Sequence, residues 1–124
     1  MTERHLDKIH IRDLQLRCIV GLYEEERRAK QDVVLNLTLY ADYQKACKTD
    51  RIEDTVDYKA IKKRVVELVE ASSFYLIERL AQAVAELCLE SPEVQRVEVT
   101  VDKPGALRFA RSVAVEIVRE RRHG

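Results

Sequence analysis

Lys103 closes a run in which Val97, Val99 and Val101 alternate with Glu98, Thr100 and Asp102, and it keeps the phase of the valines. A lysine therefore stands where a strand of this pattern places an apolar side chain. At the end of a strand such a lysine can extend its stem over apolar surface and leave its ammonium in water. Partial burial gives it another use, because removing water from an ammonium lowers its pKa from about 10.4 toward neutrality. There it can accept and return a proton, a role that contributes about 10²- to 10⁴-fold in rate.

Three further side chains could share such a site. Glu26 belongs to the run Glu24-Glu25-Glu26-Arg27-Arg28, where a carboxylate by itself reads as a solvated loop charge. Glu78 falls at the margin of the stripe Leu76, Ile77, Leu80, Val84, so it either faces a pocket or makes a surface ion pair. Tyr58 sits one turn before Ile61 on the face of Ile61, Val65 and Leu68, which suits a packing residue or one wall of a flat pocket. Arg108 and Arg111 follow the Lys103-Pro104-Gly105 turn, as surface charges or as partners for a phosphorylated substrate.

The elements that must position these groups follow from periodicity. Ile9 and Ile11, then Leu14, Leu16, Cys18 and Val20, mark a strand from Lys8 to Val20 whose phase slips at Arg12-Asp13, predicting a bulge. After a charged loop from Gly21 to Lys30, Val33, Leu35, Leu37, Leu39 and Ala41 form one face of a second strand. A connector from Gln44 to Asp57 leads to a helix capped by Asp57, with Ile61, Val65, Leu68 and Val69 as its apolar stripe. Ser72-Ser73 breaks it, and a second helix is predicted from about Phe74 to Glu90. The third strand ends at Lys103-Pro104-Gly105, and the fourth carries Val113, Val115 and Ile117.

The order is β-β-α-α-β-β, an α+β pattern with a hairpin at each end and two helices covering one face of a four-stranded, mostly antiparallel sheet. The 124 residues suit one domain, with its core over about residues 8–119. A sheet with two open edges and one bare face is expected to assemble with copies of itself.

Composition narrows the partners. Lys+Arg and Asp+Glu each total 22, so no net charge draws the chain to nucleic acid or to an anionic membrane. The basic tail Arg119-Glu120-Arg121-Arg122 reads as a solvated terminus. No apolar run approaches the roughly 20 residues of a membrane span, and Met1 to His10 lacks the apolar stretch of a secretory signal. The expectation is a cytoplasmic protein. Cys18, Cys47 and Cys88 are odd in number and outside any C-x-x-C pair, and His5, His10 and His123 have no second ligand at metal spacing. Neither a disulfide framework nor a metal is expected, and Cys18 and Cys88 suit a core.

Four ordered segments carry a resemblance over most of the chain. They are Gly21-Leu22-Tyr23-Glu24-Glu25-Glu26-Arg27 with Gln31, Asp54-Thr55-Val56-Asp57-Tyr58, Phe74-Tyr75-Leu76-Ile77-Glu78-Arg79-Leu80-Ala81, and Val101-Asp102-Lys103-Pro104. Together they resemble the family of dihydroneopterin aldolase and dihydroneopterin triphosphate 2′-epimerase. The resemblance implies the tunnelling fold (T-fold), a β-β-α-α-β-β unit whose copies join sheets into a barrel, as tetramers or stacked octamers.

It also implies a retro-aldol reaction on a pterin without metal, Schiff base or other cofactor. A C=N bond beside the side chain of the dihydropterin absorbs the electrons released when the 2′-hydroxyl is deprotonated and the carbon–carbon bond breaks. The protein then has to supply a proton shuttle and a fixed orientation. By resemblance Lys103 is the general acid–base, Glu26 holds its proton network, and Glu78 accepts hydrogen bonds from the pterin 2-amino group and N3–H. Tyr58 comes from a neighbouring subunit to pack on the ring and assist proton transfer, and main-chain groups near Val56 and Ile77 line the pocket.

Both branches of the family begin with the same bond cleavage. The Lys103-Pro104-Gly105-Ala106 turn favours the aldolase, which yields 6-hydroxymethyl-7,8-dihydropterin and glycolaldehyde on the way to folate. Ala106-Leu107-Arg108-Phe109-Ala110 with Glu24-Glu25-Glu26 is also similar to the epimerase. A third reading is a pterin-holding or self-assembling module without catalysis, since one fold hosts many functions.

Overall fold

In a computed structural model, which describes residues 5–122, the chain folds around one apolar cluster between a sheet and a layer of helices. The expectation placed on His123 falls outside the described residues. The strands are β1 (Asp7–Cys18), β2 (Gln31–Ala41), β3 (Arg96–Pro104) and β4 (Ser112–Glu120). They form a four-stranded sheet in the order β1-β2-β3-β4, every neighbouring pair antiparallel. The helices are α1 (Gln44–Thr49), α2 (Tyr58–Glu70) and α3 (Ile77–Leu89). This is the α+β architecture read from the sequence, with one α-helix and short 3-10 turns added.

Strict alternation decides which face of the sheet is covered. Val33, Leu35, Leu37, Leu39 and Ala41 of β2, and Val97, Val99 and Val101 of β3, are all buried, whereas the residues between them stay partly accessible. Ile61, Val65 and Val69 of α2, and Leu80, Ala81, Val84, Ala85, Leu87 and Cys88 of α3, close over that face. α3 lies on β3 and β4, while α2 packs against α3 and β1. The other face carries polar pairs, including Tyr40 Oη donating to Glu98 Oε2 at 2.6 Å and a 3.0 Å hydrogen bond between His10 Nδ1 and Thr38 Oγ1.

The predicted bulge is present. Between the pairs Ile11↔Leu37 and Leu14↔Leu35, the two residues Arg12 and Asp13 face the single residue Asn36. Asp13 takes a left-handed φ of 54°, and its N–H donates to Asn36 Oδ1 at 2.9 Å, so the side chain replaces the lost ladder bond. The slip lets Ile9 and Ile11 on one side, and Leu14, Leu16 and Cys18 on the other, all reach the core.

Three expectations are corrected. The Gln44–Asp57 connector contains α1 and a 3-10 turn at Ile52–Asp54. α1 buries none of its residues and so leaves no apolar stripe to read; Asp50 ends it in the left-handed conformation, φ 61°. α3 begins at Ile77 and not at Phe74, because the carbonyls of Ser73 and Phe74 are taken by donors from elsewhere in the fold and Leu76 is an extended N-cap. Finally, the basic tail is docked and not solvated at Arg121. Its guanidinium donates to the carbonyls of Ser91 at 2.7 Å, Val94 at 3.0 Å and Leu89, just past the C-terminus of α3 where a cation is favoured.

Candidate active site

β3 carries its inward phase one step past the core, from Val101 to Lys103, and this brings an ammonium to the rim of an apolar layer. Lys103 is only 9% exposed, and Nζ donates a hydrogen bond to Glu26 Oε2. The extension into bulk water available to such a lysine is not what is observed.

Glu26 lies on a 3-10 turn, Glu24–Arg27, that reverses the chain between β1 and β2. Its carboxylate is part-buried, with the side chain 23% exposed. Oε1 accepts from the Tyr23 backbone N–H at 3.2 Å, and Gln31 Nε2, itself anchored on the Val20 carbonyl at 2.9 Å, stands 3.5 Å from Oε2. The hydrogen bond from Lys103 holds the Glu26 carboxyl below its ordinary value near 4.5, against the opposing push of burial. Glu26 is therefore a fixed anion and not the solvated loop charge that its surroundings in the sequence suggest.

Gly21 makes room for that carboxylate. A Cβ at Gly21 would stand 2.3 Å from Glu26 Cδ and 2.5 Å from both carboxylate oxygens, and φ at Gly21 is 140°. Only glycine satisfies both conditions.

Lys103 and Glu26 line a cleft of about 380 Å³ with Gly21, Leu22, Tyr23, Tyr75, Leu76, Ile77, Glu78, Ala106 and Val113. Its walls are the loop after β1, the segment entering α3, and the turn between β3 and β4. Glu78 is in the first turn of α3, where the helix dipole favours a negative charge. Among the described residues no donor binds its carboxylate, so the surface ion pair available to it from sequence alone has no partner. The cleft thus combines a lysine–glutamate pair, an unengaged carboxylate and an apolar wall. These can move a proton and hold a flat ligand by its N–H edge.

Tyr58 and Val56 do not line this cleft. Tyr58 is 55% exposed at the start of α2 and lies outside the core cluster that holds Ile61 and Val65, while Val56 is buried in the core. Arg108 is exposed on the β3–β4 turn near the cleft. Arg111 borders a different, polar pocket with Asp13, Asn36 and Asp102 on the uncovered face of the sheet. Among the described residues no three His, Cys, Asp or Glu side chains are grouped to hold a metal ion. Cys18 and Cys88 are fully buried, and burial pushes the Cys88 thiol up to about 12.

Tyr75 lines the cleft and Arg27 donates to the Phe74 carbonyl beside it, and neither stands out in the sequence. Arg27 was indistinguishable from other charges in its run, and Tyr75 looked like the first turn of a helix. The offset of one residue between Glu26 and Arg27, on a turn of about three residues, carried no visible sign that both point inward.

Sheet, helices and cleft together define an α+β protein with a lysine–glutamate pair at the rim of its core. The family model described as FolB, dihydroneopterin aldolase, matches residues 9–118, and the chain belongs to that family of dihydroneopterin aldolases and dihydroneopterin triphosphate 2′-epimerases. It is 40% identical over 119 residues to the dihydroneopterin triphosphate 2′-epimerase of Pseudomonas aeruginosa, covering 96% of this chain and 97% of that one. The structure of a putative dihydroneopterin aldolase from Vibrio cholerae superposes with a TM-score of 0.90 at 36% identity, covering 95% of this chain and all of that one. Escherichia coli dihydroneopterin aldolase in complex with neopterin gives 0.87 at 35% identity over 91% of this chain and 98% of that one. The chain is a FolB-family enzyme, and relatives of both branches resemble it.

Proposed function

We propose that this enzyme cleaves the C1′–C2′ bond of 7,8-dihydroneopterin by a retro-aldol reaction, releasing 6-hydroxymethyl-7,8-dihydropterin and glycolaldehyde. The observation that carries the reading is the buried Lys103 ammonium, hydrogen-bonded to Glu26 in the same cleft as the unengaged Glu78 carboxylate.

In this scheme Glu78 accepts the 2-amino and N3–H protons of the pterin, two parallel donors on one carboxylate. That contact orients the side chain toward the pair of Lys103 and Glu26. The 2′-hydroxyl proton leaves through this pair, the C1′–C2′ electrons enter the ring C=N, and a proton returned to C1′ completes the product. Charge develops where Glu26 and Lys103 are already fixed, so little reorganisation is needed at the moment of reaction. Leu22, Tyr23 and Leu76 supply apolar surface for the ring to lie against. Tyr58, with the main chain at Val56, is assigned to the cleft of a neighbouring copy, and main chain at Ile77 to its own. The working form is accordingly a tetramer or octamer in the cytoplasm.

A second reading keeps the same bond cleavage but re-adds the fragment with inverted C2′, on the triphosphate. It is favoured by the 40% identity to the Pseudomonas aeruginosa epimerase and by Arg108, an exposed cation two residues beyond Ala106 in the cleft wall. Incubating the purified protein with 7,8-dihydroneopterin and with its triphosphate, and separating the products, tests both. Glycolaldehyde release supports the aldolase; an inverted side chain without release supports the epimerase. If both substrates were recovered unchanged, neither reading would stand.

A further inference from the structure

Arg27 and Arg28 are neighbours in sequence and opposites in structure. Arg28 is exposed and pairs with Glu24 at 2.7 Å, an ordinary surface contact one helical turn apart. Arg27 turns inward. Its Nη1 donates to the carbonyls of Gly21 at 3.2 Å and Phe74 at 3.0 Å, and Nη2 donates to the Ser73 carbonyl at 2.6 Å. The guanidinium plane also lies over the Tyr75 ring, 4.1 Å from its centroid. Among the described residues no carboxylate lies within ion-pair distance of it. A part-buried cation held by neutral carbonyls and an aromatic face spends its charge on geometry, since an ion pair would have offset its desolvation more fully.

The segments joined in this way are two walls of the cleft. Gly21 stands against the Glu26 carboxylate, and Ser73 to Tyr75 lead into α3, where Glu78 follows. The main chain also ties these walls through the Gly21 N–H, which donates to the Phe74 carbonyl at 3.3 Å, a long bond on an acceptor that Arg27 shares. One guanidinium thus bridges the loop that seats Glu26 and the segment that leads to Glu78.

We propose that Arg27 is a positioning residue that locks the distance between the Lys103–Glu26 pair and the pterin-holding Glu78, and holds Tyr75 as a flat wall for the heteroaromatic ring. The inference rests on the proposed retro-aldol reading. Lysine cannot replace this arginine, because a compact ammonium lacks the planar fork needed to reach three carbonyls and stack on a ring together.

The test compares Arg27→Lys, Arg27→Met and the control Arg28→Lys. Turnover of 7,8-dihydroneopterin and its triphosphate is measured per folded molecule, together with neopterin affinity and Tm. A displacement near 1 Å between reacting groups costs about 10²-fold in rate, so kcat/KM of Arg27→Lys should fall by about that factor. The loss should be divided between a higher KM and a lower kcat, with weaker neopterin binding, while Arg28→Lys behaves as the unsubstituted protein. Changing Lys103 alone should lower kcat, and changing Glu78 alone should first raise KM, so the combined pattern is the signature of Arg27. If Arg27→Lys lowered Tm but kept its kcat, KM and neopterin affinity per folded molecule, Arg27 would be a structural clamp only, and the proposal would be overturned. Should Arg27→Met fail to fold, Arg27→Lys still decides. If the unsubstituted protein turned over neither substrate, the retro-aldol reading would fail while neopterin affinity still reported on Arg27; if it bound no neopterin either, both would fall.

Discussion

An ammonium on a side chain only 11% exposed has to have its charge met, and Glu26 meets it. The pair gives a prediction in acid. Because the folded state holds the Glu26 carboxyl below its ordinary value near 4.5, the unfolded chain binds that proton more readily. The stability contributed by Glu26 is therefore complete above about 4.5 and is lost as pH falls through the lower folded value. Thermal unfolding of the protein and of Glu26→Gln, followed from pH 6 downward, should show the Tm of the unsubstituted protein dropping more steeply in that window; parallel curves would sink the claim. At the other carboxylate, removing a charged acceptor of two hydrogen bonds costs about 1.5–3 kcal/mol, so Glu78→Ala should weaken neopterin binding by about 10- to 10²-fold. Isothermal titration checks this, and unchanged affinity would remove Glu78 from the substrate's N–H edge.

Elements were legible where one periodicity ran uninterrupted. β2 and β3 alternate without fault, so their buried faces, and the intrusion of Lys103 among them, followed from spacing alone. The bulge at Arg12-Asp13 was visible for the same reason, as a break in phase. Asp57 was readable as a cap, and its side chain accepts from the Ala60 N–H at 3.0 Å. What could not be read depends on tertiary bonds: the late start of α3, the docking of Arg121, and the inward turn of Arg27 are each fixed by carbonyls far away in sequence. α1 was missed because it has no buried face. Asp57→Ala should cost about 1 kcal/mol, seen as a Tm lower by roughly a few degrees. Gly21→Ala forces a Cβ against the Glu26 carboxylate from a strained backbone, which costs on the order of 1–3 kcal/mol. It should reduce turnover as well as stability, and an alanine variant with unchanged kcat would mean that the seat of Glu26 is not held by the loop.

At the scale of the whole molecule, the cleft of one chain is open and Tyr58 is exposed away from it. β1 and β4 are outer strands, and β4 presents exposed Val113 and half-buried Val115 and Ile117 at its edge. Free edges of this kind favour pairing between copies. Light scattering after size-exclusion chromatography should give a tetramer or octamer. Mixing the variants Lys103→Ala and Tyr58→Ala and letting subunits exchange should restore turnover that neither has alone, because some sites then receive both side chains from different copies. A fully active monomer, or no restoration after demonstrated exchange, would contradict the shared site.

In the proposed reaction the enclosed lysine moves the proton while other groups hold the substrate. The most direct measurement is glycolaldehyde formation by Lys103→Ala, or C2′ inversion of the triphosphate if the unsubstituted enzyme proves to be an epimerase, alongside neopterin affinity on the same preparation. A loss of about 10²- to 10⁴-fold in turnover with near-native affinity is the predicted result. Turnover close to that of the unsubstituted enzyme would contradict it.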